Sequence, residues 1–154
     1  MIGLGNAFRS DDAAGLLLAR RVRARAPAGV RVIEREGEPV ELLDDWEGLA
    51  LAVVVDALEP RSGEVASPGR IHRLDPLSEP LPDSFRHRGT HAIGLADAIE
   101  LGRAVGRLPD RLVVYAIEGA NFSSGDRCSP EVLAAVGEAV DRVLTELENV
   151  EEPR

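Results

Sequence analysis

Gly3-Leu4-Gly5-Asn6-Ala7-Phe8-Arg9-Ser10-Asp11-Asp12 is a glycine-punctuated turn that closes on two adjacent carboxylates, just where an apolar helix begins. Glycine has no Cβ, so Gly3 and Gly5 let a strand break sharply and let the backbone approach whatever lies above it. The apolar residues in front of the turn read as the end of a buried strand, shorter than the usual five or six or so residues. The natural start is therefore expected a few residues upstream of Met1. Behind the turn, Ser10 is placed to act as the N-cap of a helix carrying Leu16, Leu17, Leu18, Ala19 and Val22. Asp11 and Asp12 then fall in the first helical turn, where the dipole favours negative charge. Helix stability alone accounts for such a pair, and Asp11 is read as a helix-start charge. Without a third glycine, the turn is not a dinucleotide fingerprint.

Outward from this unit, strands and helices alternate. Pro27 and Gly29 end the first helix, and Val30-Arg31-Val32-Ile33 alternates like a strand with one wet face or an edge. Pro39-Val40-Glu41-Leu42-Leu43-Asp44-Asp45-Trp46 suits a short helix with Val40, Leu43 and Trp46 inward, Trp46 as core. Leu49-Ala50-Leu51-Ala52-Val53-Val54-Val55 is the most apolar run, a strand buried on both faces, and it ends at Asp56. The stretch 59–88 is rich in Pro, Gly, Ser and Arg, a loop of functional length. Within it only Gly69-Arg70-Ile71-His72-Arg73-Leu74 alternates enough for a strand, at an edge, with His72 exposed. Thr90 is expected to cap a helix from His91 that buries Ile93, Leu95, Ala96, Ile99 and Leu101. Arg111-Leu112-Val113-Val114-Tyr115-Ala116-Ile117 is a second buried strand, followed by Glu118-Gly119. Ser129-Pro130-Glu131 opens the last helix, with Leu133, Val136, Val140, Val143, Leu144 and Leu147 inward. About five strands and four helices in this order make a three-layer α/β/α sandwich. It is read as one domain over 1–149, with an acidic tail, 150–154, expected to fray.

Composition excludes several classes. With 18 basic against 27 acidic residues and a net charge of -9, the chain lacks the clustered positive charge that nucleic acid or an anionic membrane requires. All the basic residues are arginine, so no lysine nucleophile or Schiff base exists. The single Cys128 rules out an intrachain disulfide and any multi-cysteine metal site; it suits an apolar residue packed before the last helix. No charged-then-apolar leader opens the chain and no run approaches the ~20 apolar residues of a membrane span. A soluble, cytoplasmic protein is expected.

Asp12, Asp56 and His91 come from three separate segments, each at the end of an element. If the first and third strands are neighbours with their helices on opposite faces, the crevice between them is the topological switch point where open α/β sheets bind ligands. Two carboxylates and one imidazole form an incomplete shell that suits a borderline divalent ion. Read separately, Asp56 is a turn former and His91 a first-turn helix residue. His87 is either an auxiliary ligand or a surface histidine.

Gly3-Leu4-Gly5-Asn6 with Ser10-Asp11-Asp12-Ala13-Ala14-Gly15, Val53-Val54-Val55-Asp56-Ala57, Thr90-His91-Ala92-Ile93-Gly94-Leu95, Gly125 and Ser129-Pro130-Glu131-Val132 together resemble the hydrogenase maturation endopeptidases. Those proteases remove a C-terminal extension from the nickel-iron hydrogenase large subunit after nickel insertion. The resemblance implies a five-stranded mixed sheet, mostly parallel, with residues 69–74 as its antiparallel strand. It also implies that Asp12, Asp56 and His91 recognise a nickel ion carried by the substrate, another divalent cation being able to replace it in the isolated protein. The implied partner is the precursor of the large subunit. Where many relatives carry proline after the fifth strand, this chain has Glu118-Gly119-Ala120.

Peptide hydrolysis needs an activated water, a polarised carbonyl and a protonated amine. No Gly-x-Ser-x-Gly elbow is present and Cys128 has no evident base, so a covalent route is poorly supported. Carboxylate or metal-assisted attack by water remains, with Asp12 and Asp56 as catalytic residues and Asp56 as the base. Other readings stay open. The opening Gly-Leu-Gly-Asn is also similar to peptidyl-tRNA hydrolases, although Arg9-Ser10-Asp11-Asp12 departs from their pattern and the charge suits tRNA badly. A non-cleaving, nickel-dependent hydrogenase assembly factor would carry the same residues. A nucleotide-binding module fits least, because acids after the turn repel phosphate.

Overall fold

The computed structural model describes residues 1–37, 39–85 and 94–150. Its strands are β1 (Ile2–Leu4), β2 (Ile33–Arg35), β3 (Leu51–Leu58), β4 (Ile71–Leu74) and β5 (Arg111–Glu118). Its α-helices are α1 (Ala14–Arg23), α2 (Leu42–Trp46), α3 (Leu95–Val105) and α4 (Pro130–Glu148). Short 3₁₀ turns occupy Ser10–Ala13, Pro39–Glu41 and Asp83–Phe85. The strands form one sheet in the order β2-β1-β3-β5-β4, parallel except for β4, which runs antiparallel to β5. This is the mixed five-stranded sheet expected, with the antiparallel strand where the family resemblance implied it. No helix among the described residues is long and apolar enough to cross a membrane.

Both faces of the sheet are covered, which is why β3 and β5 are apolar without a break. Val53, Val55, Val113, Tyr115 and Ile117 pack under α1 and α4. Ala52, Val54, Leu112, Val114 and Ala116 point the other way, toward α2 and α3. Trp46 is fully buried in this second layer, as expected, and its Nε1–H donates to the Arg107 carbonyl at 2.8 Å. At the β2 edge, Arg35 clamps the buried Asp45 of α2 through Nε and Nη2, at 2.8 and 2.7 Å.

Several boundaries differ from the sequence reading. β2 begins at Ile33, because the short β1 sets its partner: Ile33 N–H donates to the Met1 carbonyl and Ile2 stands opposite Ile33. β3 does not stop at Asp56. It pairs with β5 residue for residue from Leu51 to Leu58, and this ladder carries the strand past the charge. α3 starts at Leu95 after an extended Gly94, whose N–H donates to the Asp97 carboxylate at 3.3 Å. Thr90 and His91, expected to start that helix, lie outside the described residues, as do 151–154 of the acidic tail. On α4, Val132 rather than Leu133 turns inward, continuing the spacing through Val136, Val140, Val143 and Leu147; Leu133 is 40% exposed.

The two layers meet most closely where α1 crosses β1 and β3. A Cβ on Gly15 would lie 2.2 Å from the Leu4 carbonyl oxygen and 2.5 Å from that of Val55. Only glycine permits this approach. It draws the start of α1, and the 3₁₀ turn ahead of it, onto the carboxyl ends of β1 and β3.

Candidate active site

From β1 the chain connects through α1 on one face to β2 at one edge; from β3 it continues toward β4 and β5, with α3 on the opposite face. β1 and β3 are therefore neighbours whose connections diverge, and a crevice opens above their carboxyl ends. Asp12 and Asp56 both occupy this place.

Asp12 is held through its backbone. Gly5 at φ 153° presses so close that a Cβ would lie 2.0 Å from the Asp12 carbonyl oxygen, and Asn6 N–H donates to that oxygen at 3.2 Å. The half-buried Asp12 carboxylate meets Arg9 Nη1 at 3.3 Å, and Arg9 Nη2 lies 3.9 Å from Glu59. Burial raises the Asp12 pKa above the ordinary range; Arg9 opposes the rise and Glu59 assists it.

Asp56 lies within β3, half-buried, with the Ala57 N–H donating to its Oδ1 at 2.8 Å. Its pKa is pushed up to about 7, first by burial and then by the charge of Asp12. That electrostatic influence puts the two carboxylates near one another at the carboxyl ends of β1 and β3. A carboxyl titrating near neutrality can accept and return a proton at physiological pH.

Asp11 has a different setting. It is fully buried, and the amides of Ala120 and Asn121 donate to its Oδ2 at 2.8 and 3.0 Å. The Ser129 amide donates to Oδ1 at 2.6 Å, and the Ser129 hydroxyl lies 2.9 and 2.8 Å from the two oxygens. Burial pushes the Asp11 pKa up, but these donors outweigh it and hold the group below the usual carboxylate range. Asp11 is thus the anchor of the loop between β5 and α4, not merely a helix-start charge.

Ser10 is not the N-cap expected of it. Its φ is 53°, its hydroxyl donates to the Ser123 carbonyl at 2.9 Å, and its N–H donates to that of Gly125 at 3.0 Å. A long-range stitch to the β5–α4 loop displaces the local cap. Cys128 packs against the α1–α4 core as anticipated, and burial raises its thiol pKa, with Asp11 adding to the rise.

No family model matches the chain. It is 25% identical over 150 residues to the hydrogenase 2 maturation protease of Escherichia coli strain K12, covering 96% of this chain and 88% of that protein. Among solved structures, the hydrogenase maturating endopeptidase HybD from E. coli superposes with a TM-score of 0.80 at 23% identity, covering 96% of this chain and 90% of that one. The [NiFe] hydrogenase maturation protease HybD from Thermococcus kodakarensis gives 0.68 at 23%, over 95% and 96%. The chain is similar over nearly its whole length to a hydrogenase maturation protease, and it shares the fold of the solved ones. The likeness covers nearly the whole chain and agrees with the family resemblance read from the sequence.

Of the three residues expected at the site of such a protease, Asp12 and Asp56 come together. His91, and with it His87, lies outside the described residues. Among the described residues no three His, Cys, Asp or Glu side chains are placed to hold a metal ion. His72, expected to be exposed, is half-buried on β4 with its Nε2 3.0 Å from Glu118 Oε2. Sequence reasoning also passed over Arg9 and Glu59. Arg9 and Asp12 are three apart in the chain, a spacing that could have suggested the pair; Glu59 gave no signal inside a long loop.

Proposed function

We propose that this chain is an endopeptidase that removes the C-terminal extension of the nickel-iron hydrogenase large subunit after nickel insertion, reading the nickel as part of its substrate. The observation that carries this reading is the placement of Asp12 and Asp56 at the β1–β3 switch point, where burial and then the charge of Asp12 raise the pKa of the half-buried Asp56. Two carboxylates supply oxygen donors to a divalent ion that arrives with the client, and leave positions for the client's own ligands. Asp12, Asp56 and His91 hold the nickel-bearing client in this reading, which positions the scissile bond. Asp56 takes a proton from the attacking water, in keeping with its burial and its acidic neighbour.

The test is to incubate the protein with nickel-loaded and nickel-free precursor and to follow the intact mass of the large subunit. Shortening of the nickel-loaded form alone is expected. Tight binding without any shortening would assign the protein to non-cleaving assembly, and equal cutting of both forms would remove nickel from recognition.

A further inference from the structure

Arg9 reaches a carboxylate on each side of the crevice. It belongs to the connection between β1 and α1, as Asp12 does, while Glu59 directly follows β3. Its Nη1 lies 3.3 Å from Asp12 Oδ2 and its Nη2 3.9 Å from Glu59 Oε2. The backbone at this point is tied down. Arg9 N–H donates to the Asn6 carbonyl at 3.3 Å, and the Arg9 carbonyl accepts from the Asp12 N–H at 3.1 Å. On either side, the Phe8 carbonyl accepts from the Gly125 N–H at 2.9 Å and the Ser10 N–H donates to the Gly125 carbonyl at 3.0 Å. The Arg9 side chain is 45% exposed, so a rearrangement here is a swing of the guanidinium alone.

The two aspartates of the turn are therefore held in different ways. Asp11 is fixed by three amides and the Ser129 hydroxyl, donors that can leave only if a loop moves. Among the described residues only Arg9 hydrogen-bonds the Asp12 carboxylate, and Arg9 has a second acid to turn to. A pair this exposed favours the bound arrangement by no more than about 5-fold. A divalent cation attracts the same carboxylate about twice as strongly at equal distance, and it binds oxygen at only ~2.0–2.2 Å. Such an ion can displace Arg9, whereas an uncharged peptide offers nothing in exchange. Left bare, two carboxylates at one crevice would attract any free divalent ion, because donor type alone selects poorly among metals.

We infer that Arg9 is a specificity-determining residue: the internal cation that occupies the Asp12 carboxylate in the free protein and yields it, moving onto Glu59, when the client presents its nickel. The inference rests on the reading of Asp12 as a ligand to that nickel. One ion pair breaks and another forms, with no proton transferred. A free ion must displace Arg9 with no other contact to compensate, while an ion seated in the client arrives with the rest of the interface. Arg9 thus keeps stray ions weakly bound and leaves the crevice to the loaded client.

The experiment measures binding of Ni²⁺ alone to the full chain by titration calorimetry at one pH, comparing wild type with Arg9→Gln. Arg61→Gln is the control, since it removes the same charge from another exposed pair, with Asp83. Arg9→Gln is expected to bind Ni²⁺ at least about 5-fold more tightly than wild type, with Arg61→Gln within about 2-fold of wild type. The gain should vanish when Asp12→Asn is added to Arg9→Gln. Processing of nickel-loaded precursor by Arg9→Gln should also be inhibited at lower concentrations of added free Ni²⁺. Unchanged or weaker Ni²⁺ binding by Arg9→Gln, an equal gain in Arg61→Gln, or a gain that survives Asp12→Asn overturns the assignment and leaves the protease reading standing. A gain that runs through Asp12 in a protein that never shortens loaded precursor overturns the cleavage reading and keeps Arg9 as the competing cation.

Discussion

Asp11 and Asp12 are the same side chain at adjacent positions, and their surroundings drive them in opposite directions. Asp11 faces three amides and a hydroxyl and is held ionised; Asp12 faces Arg9 and Glu59 at the crevice and is pushed toward its neutral form. Asp11→Ala orphans those buried donors and is expected to lower stability by about 3–5 kcal/mol in urea denaturation. A loss below about 1 kcal/mol would show that the loop does not depend on the anchor. Composition and periodicity could not reveal this role, because the partners of Asp11 lie more than a hundred residues away in the chain. The places of Asp12 and Asp56 near the carboxyl ends of β1 and β3 were legible, since each follows a pattern the sequence displays: a glycine turn, and an apolar run ended by a charge.

At the scale of elements, two helical glycines make a controlled comparison. Gly15 of α1 touches the backbone of β1 and β3, whereas a Cβ on Gly137 of α4 would meet only Arg21 Nη1, at 3.8 Å. Helix propensity favours alanine over glycine by about 1 kcal/mol at either site. Gly137→Ala is therefore expected to raise stability by roughly 0.5–1 kcal/mol. Gly15→Ala should destabilise by several kcal/mol or prevent folding, because both colliding atoms belong to the backbone. Thermal melts of the two variants check this, and a gain in Gly15→Ala would refute the close α1–sheet contact. The sandwich was readable from alternation, and the mixed sheet with its antiparallel edge from the family resemblance. Helix caps and strand ends were not, because tertiary partners set them: Gly125 and Ser123 redirect Ser10, and β5 extends β3 beyond Asp56.

For the whole molecule, the buried carboxylates shape stability against pH. The Asp56 pKa is about 7 in the folded protein against 3.8 unperturbed, so between these values the native state holds a proton that the unfolded chain has lost. Its contribution is full below about pH 4 and is lost as pH rises through 7. Asp11 acts in the other sense: its contribution is present above the ordinary carboxylate range and is lost as pH falls through its lowered folded value. The melting temperature is expected to peak at mildly acidic pH and to fall toward pH 8. Asp56→Asn should flatten that fall and add up to roughly 4 kcal/mol at pH 8. A flat wild-type profile from pH 5 to 8 would argue against the raised pKa.

A residue that stabilises when neutralised, yet serves as the base in the proposed cleavage, separates function from fold. The most direct measurement is the intact mass of nickel-loaded large-subunit precursor incubated with wild-type protein, Asp12→Asn or Asp56→Asn, each confirmed folded. Shortening by the wild type, slowed at least about 10²-fold in both variants, is the expected result. Shortening by either variant at the wild-type rate would contradict a shared carboxylate site above β1 and β3.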